Sequence, residues 1–177
     1  MIRLLGALFL IFLPLAPHIK AESMPNFTFK SIDGGEIELS VFKGQPILIS
    51  NTASKCGFTG QYRDLQNLYD TYSADGLVVL GIPSKDFRQE YADNEKVKDF
   101  CEINFGITFP MSEVTSVIGK TAHPFYQWLS DEYNFKPRWN FNKVLIDRNG
   151  IVIASFGATV NPNSKRVKEA VLAALKK

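Results

Sequence analysis

Ile47-Leu48-Ile49-Ser50-Asn51-Thr52-Ala53-Ser54-Lys55-Cys56-Gly57-Phe58-Thr59 is the stretch that decides how this chain folds. Its first three residues, just after Pro46, form a short apolar run that reads as a buried strand, and the run empties at Asn51 into a polar loop carrying Cys56. From Gln61 onward Tyr62, Leu65, Leu68, Tyr69 and Tyr72 recur at helical spacing until Asp75-Gly76 ends the pattern. Cys56 therefore falls between a strand and a helix, near the helix N-terminus, where free N–H groups and the macrodipole favour a thiolate. Lys55 adds a positive neighbour. A free cysteine is commonly an inert core residue, but a loop flanked by Ser54, Lys55 and Gly57 is a poor place to bury one, so Cys56 reads as reactive.

On the N-terminal side, Phe27-Thr28-Phe29 and Ile37-Glu38-Leu39 flank Asp33-Gly34-Gly35, a hairpin signal. On the C-terminal side, Leu77 to Ile82 is a second buried strand, and Val97, Phe100 and Cys101 mark a second helix. Phe109-Pro110-Met111 returns the chain to extended structure. A third helix is predicted over Pro124 to Tyr133, with His123 as a surface cap before it. Lys143 to Asp147 and Ile151 to Phe156 are strands around the turn Arg148-Asn149-Gly150, and a helix from Ser164 to Leu175 closes the chain. This order predicts an α/β, thioredoxin-like fold with a central mixed sheet flanked by helices, parallel in its first half and antiparallel in its second.

The 177 residues are the length of one ordinary domain, and 45% hydrophobic content is enough for a core. Residues 1–21 read as a signal peptide: Arg3, an apolar run from Leu4 to Ala16, and a small-residue exit with the cut after Ala21 in Ile19-Lys20-Ala21, the alternative site being Ala21-Glu22-Ser23. A membrane anchor needs an apolar run of about 20 residues, and this one is shorter and broken by Pro14 and Pro17. An exported protein, periplasmic or secreted and without a stable membrane anchor, is the expectation, with residues 22–177 as the functional domain. Without the leader Lys+Arg falls from 20 to 18, equal to the 18 Asp+Glu. No basic cluster interleaved with aromatics remains to bind nucleic acid, and the lysines and arginine near the C-terminus read as a solvated helix face.

The domain keeps two cysteines, Cys56 and Cys101, and one histidine, His123. A structural zinc site needs four ligands, and a Cys-His or Ser-His-Asp machine needs a histidine base that nothing here singles out; no metal or cofactor is expected. A thioredoxin-type reductant needs a second thiol at C-x-x-C spacing, where this chain has Thr59. A copper carrier needs more soft ligands beside Cys56 than are present.

Asn51-Thr52-Ala53-Ser54-Lys55-Cys56-Gly57-Phe58-Thr59, Leu80-Gly81-Ile82-Pro83, Phe109-Pro110-Met111 and Trp139-Asn140-Phe141 before Lys143, in this order, resemble the glutathione peroxidase family in its cysteine-containing form. The resemblance covers nearly all of residues 22–177. It implies a thiol peroxidase in which Cys56 attacks hydrogen peroxide or an organic hydroperoxide, with Trp139 and Asn140 completing the site. Their N–H groups are donors that stabilise a thiolate without a full charge; core packing is the alternative for Trp139. The resemblance further implies a monomer, from the short stretch between Tyr126 and Trp139, and a thiol reductant, either a thioredoxin-like protein or glutathione.

Where the family has a glutamine this chain has Asp86, whose negative charge would oppose a thiolate by up to about 4 kcal/mol at about 4 Å and an effective dielectric near 20. Asp86 therefore points away, pairs with Lys85 or Arg88, or holds a proton, and Gln89 is a second source of the missing amide. Cys101 resembles a resolving cysteine that condenses with a Cys56 sulfenic acid to form a disulfide; a buried helix cysteine is the alternative. Since a disulfide needs Cα atoms within about 7 Å, the helix bearing Cys101 is expected to unwind first. Two rival functions stand beside the peroxidase: a peroxide sensor or redox relay, and a non-catalytic thioredoxin-fold binding protein, which Asp86 favours.

Overall fold

The computed structural model describes residues 23–176. The leader read over 1–21 lies outside the described residues.

A hairpin of β1 (Thr28–Lys30) and β2 (Glu36–Glu38) opens the fold, with Phe29 opposite Ile37, and a 3-10 turn at Leu39–Phe42 leads out of it. The central sheet has the order β4-β3-β5-β6, built from β3 (Ile47–Thr52), β4 (Val78–Pro83), β5 (Lys143–Ile146) and β6 (Val152–Phe156). β3 and β4 run parallel, which requires the helical crossover α1 (Gln61–Tyr72) between them, while β3–β5 and β5–β6 are antiparallel. Parallel first half and antiparallel second half are the thioredoxin-like arrangement expected from the order of elements.

Alternate residues of each central strand feed opposite layers. Leu48, Val79 and Leu145 pack with Tyr62, Leu65 and Leu68 of α1, Val97 of α2 (Asn94–Phe105) and Val167 and Val171 of α4 (Lys165–Lys176). Ile49, Leu80 and Val144 face Phe125 and Leu129 of α3 (Pro124–Tyr133), with Phe29 of the hairpin in the same layer. With helices on both faces, β3 and β4 are buried at every position, which is why Ile47–Ile49 and Val78–Leu80 read as unbroken apolar runs rather than alternating ones.

Three local features tighten this frame. Gly81 lies where the 109–111 segment pairs in parallel along the edge of β4, and a Cβ there would meet Phe109 at 3.1 Å and Met111 at 3.2 Å. Gly150, at φ +78°, closes the β5–β6 turn against Met24, where the backbone needs the left-handed region. His123 caps α3, accepting the Phe125 amide on Nδ1 at 3.2 Å while its Nε2 meets the Thr28 carbonyl at 2.9 Å. It is half-buried and stacked on Phe29, rather than a surface residue, so it ties the hairpin to α3.

Candidate active site

β3 runs three residues beyond its apolar stretch, through Ser50, Asn51 and Thr52, because Asn51 is satisfied from far along the chain. Its Nδ2 donates to the Trp139 carbonyl at 2.9 Å and its Oδ1 accepts the Asn142 amide at 3.1 Å. These bonds bring the 139–142 segment beside the loop that carries Cys56. The loop then descends through consecutive turns, with Thr59 N donating to Cys56 O and Gln61 N to Phe58 O, into the first turn of α1.

Cys56 is a free thiol with 4% exposure, so the polar loop does bury it, contrary to the expectation from its neighbours. The cause is that the loop's amides are bound from the side: Ser54 N donates to Glu90 Oε2 at 3.0 Å and Lys55 N to the Gln89 carbonyl at 2.8 Å. Its sulfur accepts the Phe58 amide at 3.4 Å, a backbone donor in the turns that lead into α1. Lys55 turns its ammonium over the Tyr91 ring, 3.9 Å from the centroid, and so serves the loop's anchorage.

Asn140 is fully buried, and its Nδ2 donates to Gln89 Oε1 at 2.9 Å; its Oδ1 has no partner among the described residues. Trp139 is 40% exposed and packs on Phe87 at 5.6 Å between ring centroids, which sets an aromatic rim at this end of the sheet rather than a core contact. The residues on either side of the Asn140–Gln89 contact are held in the left-handed region: Arg88 at φ 59° and the buried Phe141 at φ 60°. Such conformations cost about 1–2 kcal/mol each in non-glycine residues and collect at functional sites.

Asp86 is engaged elsewhere. Its Oδ2 accepts Val117 N at 2.6 Å and Ile118 N at 3.0 Å, and Ser116 Oγ donates to the same oxygen at 3.2 Å. It pairs with neither Lys85 nor Arg88 among the described residues. Of the three placements open from the sequence, the carboxylate takes the one directed into another loop, and Gln89 is the amide brought to Asn140.

Cys101 lies on the inner face of α2 at 1% exposure, a free thiol in the same core layer as Cys56. Burial first, with the charges of Glu90 and Glu102 adding and the nearby Tyr62 hydroxyl opposing, pushes its thiol up to about 12. A cleft of about 280 Å³, lined by Ile32, Asp33, Lys98, Phe109 and Met111, abuts Cys101 from outside.

The family model for glutathione peroxidase matches residues 24–130. A glutathione peroxidase homolog BsaA from Halalkalibacterium halodurans is 45% identical over 145 residues, spanning 79% of this chain and 92% of that protein. The chain belongs to the glutathione peroxidase family. Another member, the hydroperoxy fatty acid reductase gpx1 of Synechocystis, is 38% identical over 77% of this chain and 88% of its own. The crystal structure of Trgpx in apo form superposes with a TM-score of 0.69 at 33% identity, covering 85% of this chain and 94% of that one. The thioredoxin-like fold and the peroxidase class are thereby established.

Two buried ionisable groups of this peroxidase escaped the reading of its sequence. Glu90 is raised from the usual carboxylate range by burial, against the amides of Ser54 and Tyr91 and the charge of Lys55. Lys143, at the start of β5, donates to Gln61 Oε1 and, at 2.6 Å, to the Val160 carbonyl; burial lowers it to about 7 against the pull of Asp64. The signal for Lys143 is a lone charge opening an apolar strand. Glu90 sits among Arg88, Gln89 and Tyr91 and carries no such signal. Among the described residues no three His, Cys, Asp or Glu side chains gather to hold a metal ion.

Proposed function

We propose that Cys56 is the peroxidatic residue, reducing hydrogen peroxide and organic hydroperoxides. Its sulfur attacks the peroxide's terminal oxygen, the S–O bond forms as the O–O bond breaks, and the alcohol or water leaves with the thiol's proton. Cys56 is left as a sulfenic acid. The observation that carries this reading is the convergence of the Phe58 amide on Sγ with the buried Asn140–Gln89 pair alongside the same loop. Gln89, in place of Asp86, holds the Asn140 amide in position, and Trp139 with Phe87 forms an apolar rim suited to the chain of an organic hydroperoxide. The related protein named as a hydroperoxy fatty acid reductase supports that substrate class.

Cys101 resolves the sulfenic acid: its thiol sulfur bonds to Cys56 Sγ, water leaves, and a thiol reductant restores both cysteines. Because Cys101 is buried and hard to ionise, the outer turns of α2 open before this step. A thioredoxin-like dithiol fits a disulfide product. The protein is exported, periplasmic or secreted, with its leader removed after Ala21, and works as a monomer without a membrane anchor. Among the described residues no helix is long and apolar enough to cross a membrane.

The experiment is a turnover matrix: hydrogen peroxide and a fatty-acid hydroperoxide, each with glutathione and with a thioredoxin system. Turnover with thioredoxin is the expected result. A protein that is oxidised once and never recycled by either reductant contradicts the reading.

A further inference from the structure

Three consecutive residues between β4 and α2 hold the loop that carries Cys56. The Gln89 carbonyl accepts the Lys55 amide at 2.8 Å, Glu90 Oε2 accepts the Ser54 amide at 3.0 Å, and the Tyr91 ring lies under the Lys55 ammonium. The same segment reaches the third part of the site, since Gln89 Oε1 accepts from Asn140. Two residues on, Asp93 caps α2, the helix that bears Cys101. The strap 89–91 thus joins the Cys56 loop, Asn140 and the Cys101 helix.

Glu90 is the unusual member. The residue is 8% exposed, and no ammonium or guanidinium lies within ion-pair distance of its carboxyl among the described residues. Burying a carboxyl without a counter-ion is costly and is tolerated where its hydrogen bonds are needed. Both oxygens are used on backbone amides: Oε2 on Ser54 and Oε1 on Tyr91 at 2.8 Å. Ser54 lies just beyond the end of β3, so its buried amide has no sheet partner and depends on this side chain.

We infer that Glu90 is a positioning residue for the peroxidatic loop: by accepting the Ser54 amide it fixes the backbone two residues before Cys56 and so sets where the sulfur stands relative to Asn140. This rests on Cys56 being the attacking group. A misplacement of about 1 Å at a reacting atom costs up to about a hundredfold in rate. The acceptor oxygen, rather than the negative charge, carries the role.

Glu90→Gln and Glu90→Met test this, since both keep the side-chain length and only Gln keeps an acceptor oxygen for Ser54, giving up the second oxygen, which binds the Tyr91 amide outside the peroxidatic loop. Two quantities are measured in each and in the wild type: the rate of Cys56 sulfenic acid formation, by dimedone trapping and mass spectrometry, and hydrogen-exchange protection of the Ser54 amide. Expected for Glu90→Met are a rate at least about tenfold lower and loss of Ser54 protection, with Glu90→Gln restoring both to within about threefold of wild type. Equal slowing in the two variants assigns the effect to the lost charge or to the Tyr91 contact, not to the Ser54 acceptor, and overturns the inference. So does a Glu90→Met rate matching wild type, or a Glu90→Gln rate below about a tenth of it. A wild-type protein that forms no sulfenic acid at Cys56 overturns the functional reading itself, an outcome distinct from a wild-type protein that reacts while the variants follow the wrong order.

Discussion

The side-chain amide of Asn140 donates to Gln89 Oε1 at 2.9 Å, across 51 residues of chain, and the backbone bends into the left-handed region next to each partner. Each residue limits the other's freedom. Asn140 is thereby held as a donor near the Cys56 loop, and removing its acceptor releases it. Gln89→Ala is expected to lower the rate of Cys56 oxidation about tenfold, and Gln89→Glu, which keeps an acceptor at the same reach but adds a negative charge that opposes a thiolate, is expected to lower it as well, most at low pH. Stopped-flow peroxide oxidation across pH checks this. Equal rates in Gln89→Ala and wild type contradict the assignment.

Asp86 is expected to act on stability and not on rate. Removing its carboxylate in Asp86→Ala leaves the amides of Val117 and Ile118 without their acceptor, a loss of about 1–3 kcal/mol. Urea unfolding measures that loss. The peroxide rate of Asp86→Gln should stay within about threefold of wild type, and a larger change would return Asp86 to the site.

The proposed resolving role of Cys101 makes opening of α2 the limit on the second step. Asp93 caps that helix, accepting the amides of Glu95 at 2.9 Å and Lys96 at 3.3 Å, and Asp93→Ala removes about 1 kcal/mol of helix stability. Formation of the Cys56–Cys101 disulfide should then accelerate by up to about fivefold, with sulfenic acid formation unchanged. Quenched-flow mass spectrometry separates the two steps. A slower disulfide step in the variant would mean that Cys101 reacts from the intact helix.

His123 gives the fold a pH dependence. Burial lowers its pKa against the pull of the Thr28 carbonyl, and its Nδ1 must stay unprotonated to accept the Phe125 amide. A folded-state pKa below the unfolded value of about 6.5 means stability that is complete above that pH and is lost as pH falls through 6.5 toward the folded value. Between pH 7.5 and 5.0 the wild type should lose more stability than His123→Asn, which caps without titrating. Urea unfolding at the two pH values decides it, and parallel losses would contradict the account.

The order of elements was legible because the central strands carry apolar runs and the turns after β1, α1 and β5 carry glycine, so Ile47–Ile49 and Leu77–Ile82 announce themselves. The bounds of α3 follow from Pro124 at its first position and the left-handed Asn134 at its end. The site was legible only in part. Cys56, Trp139 and Asn140 stand in segments that carry a family resemblance, whereas the destination of the Asp86 carboxylate depends on a loop some thirty positions away. The burial of Cys56 escaped notice for the same reason: its loop is polar, and what pulls it inward is Glu90, 36 residues beyond Ser54. Hydrogen bonds between distant segments leave no periodicity in a sequence.

Dimedone trapping after one equivalent of hydrogen peroxide, on the wild type and on Cys56→Ser, tests the role of Cys56 most directly. A dimedone adduct on Cys56 in the wild type, with both the adduct and peroxide consumption lost in Cys56→Ser, is the predicted result. An adduct confined to Cys101, or undiminished peroxide consumption by Cys56→Ser, would contradict it.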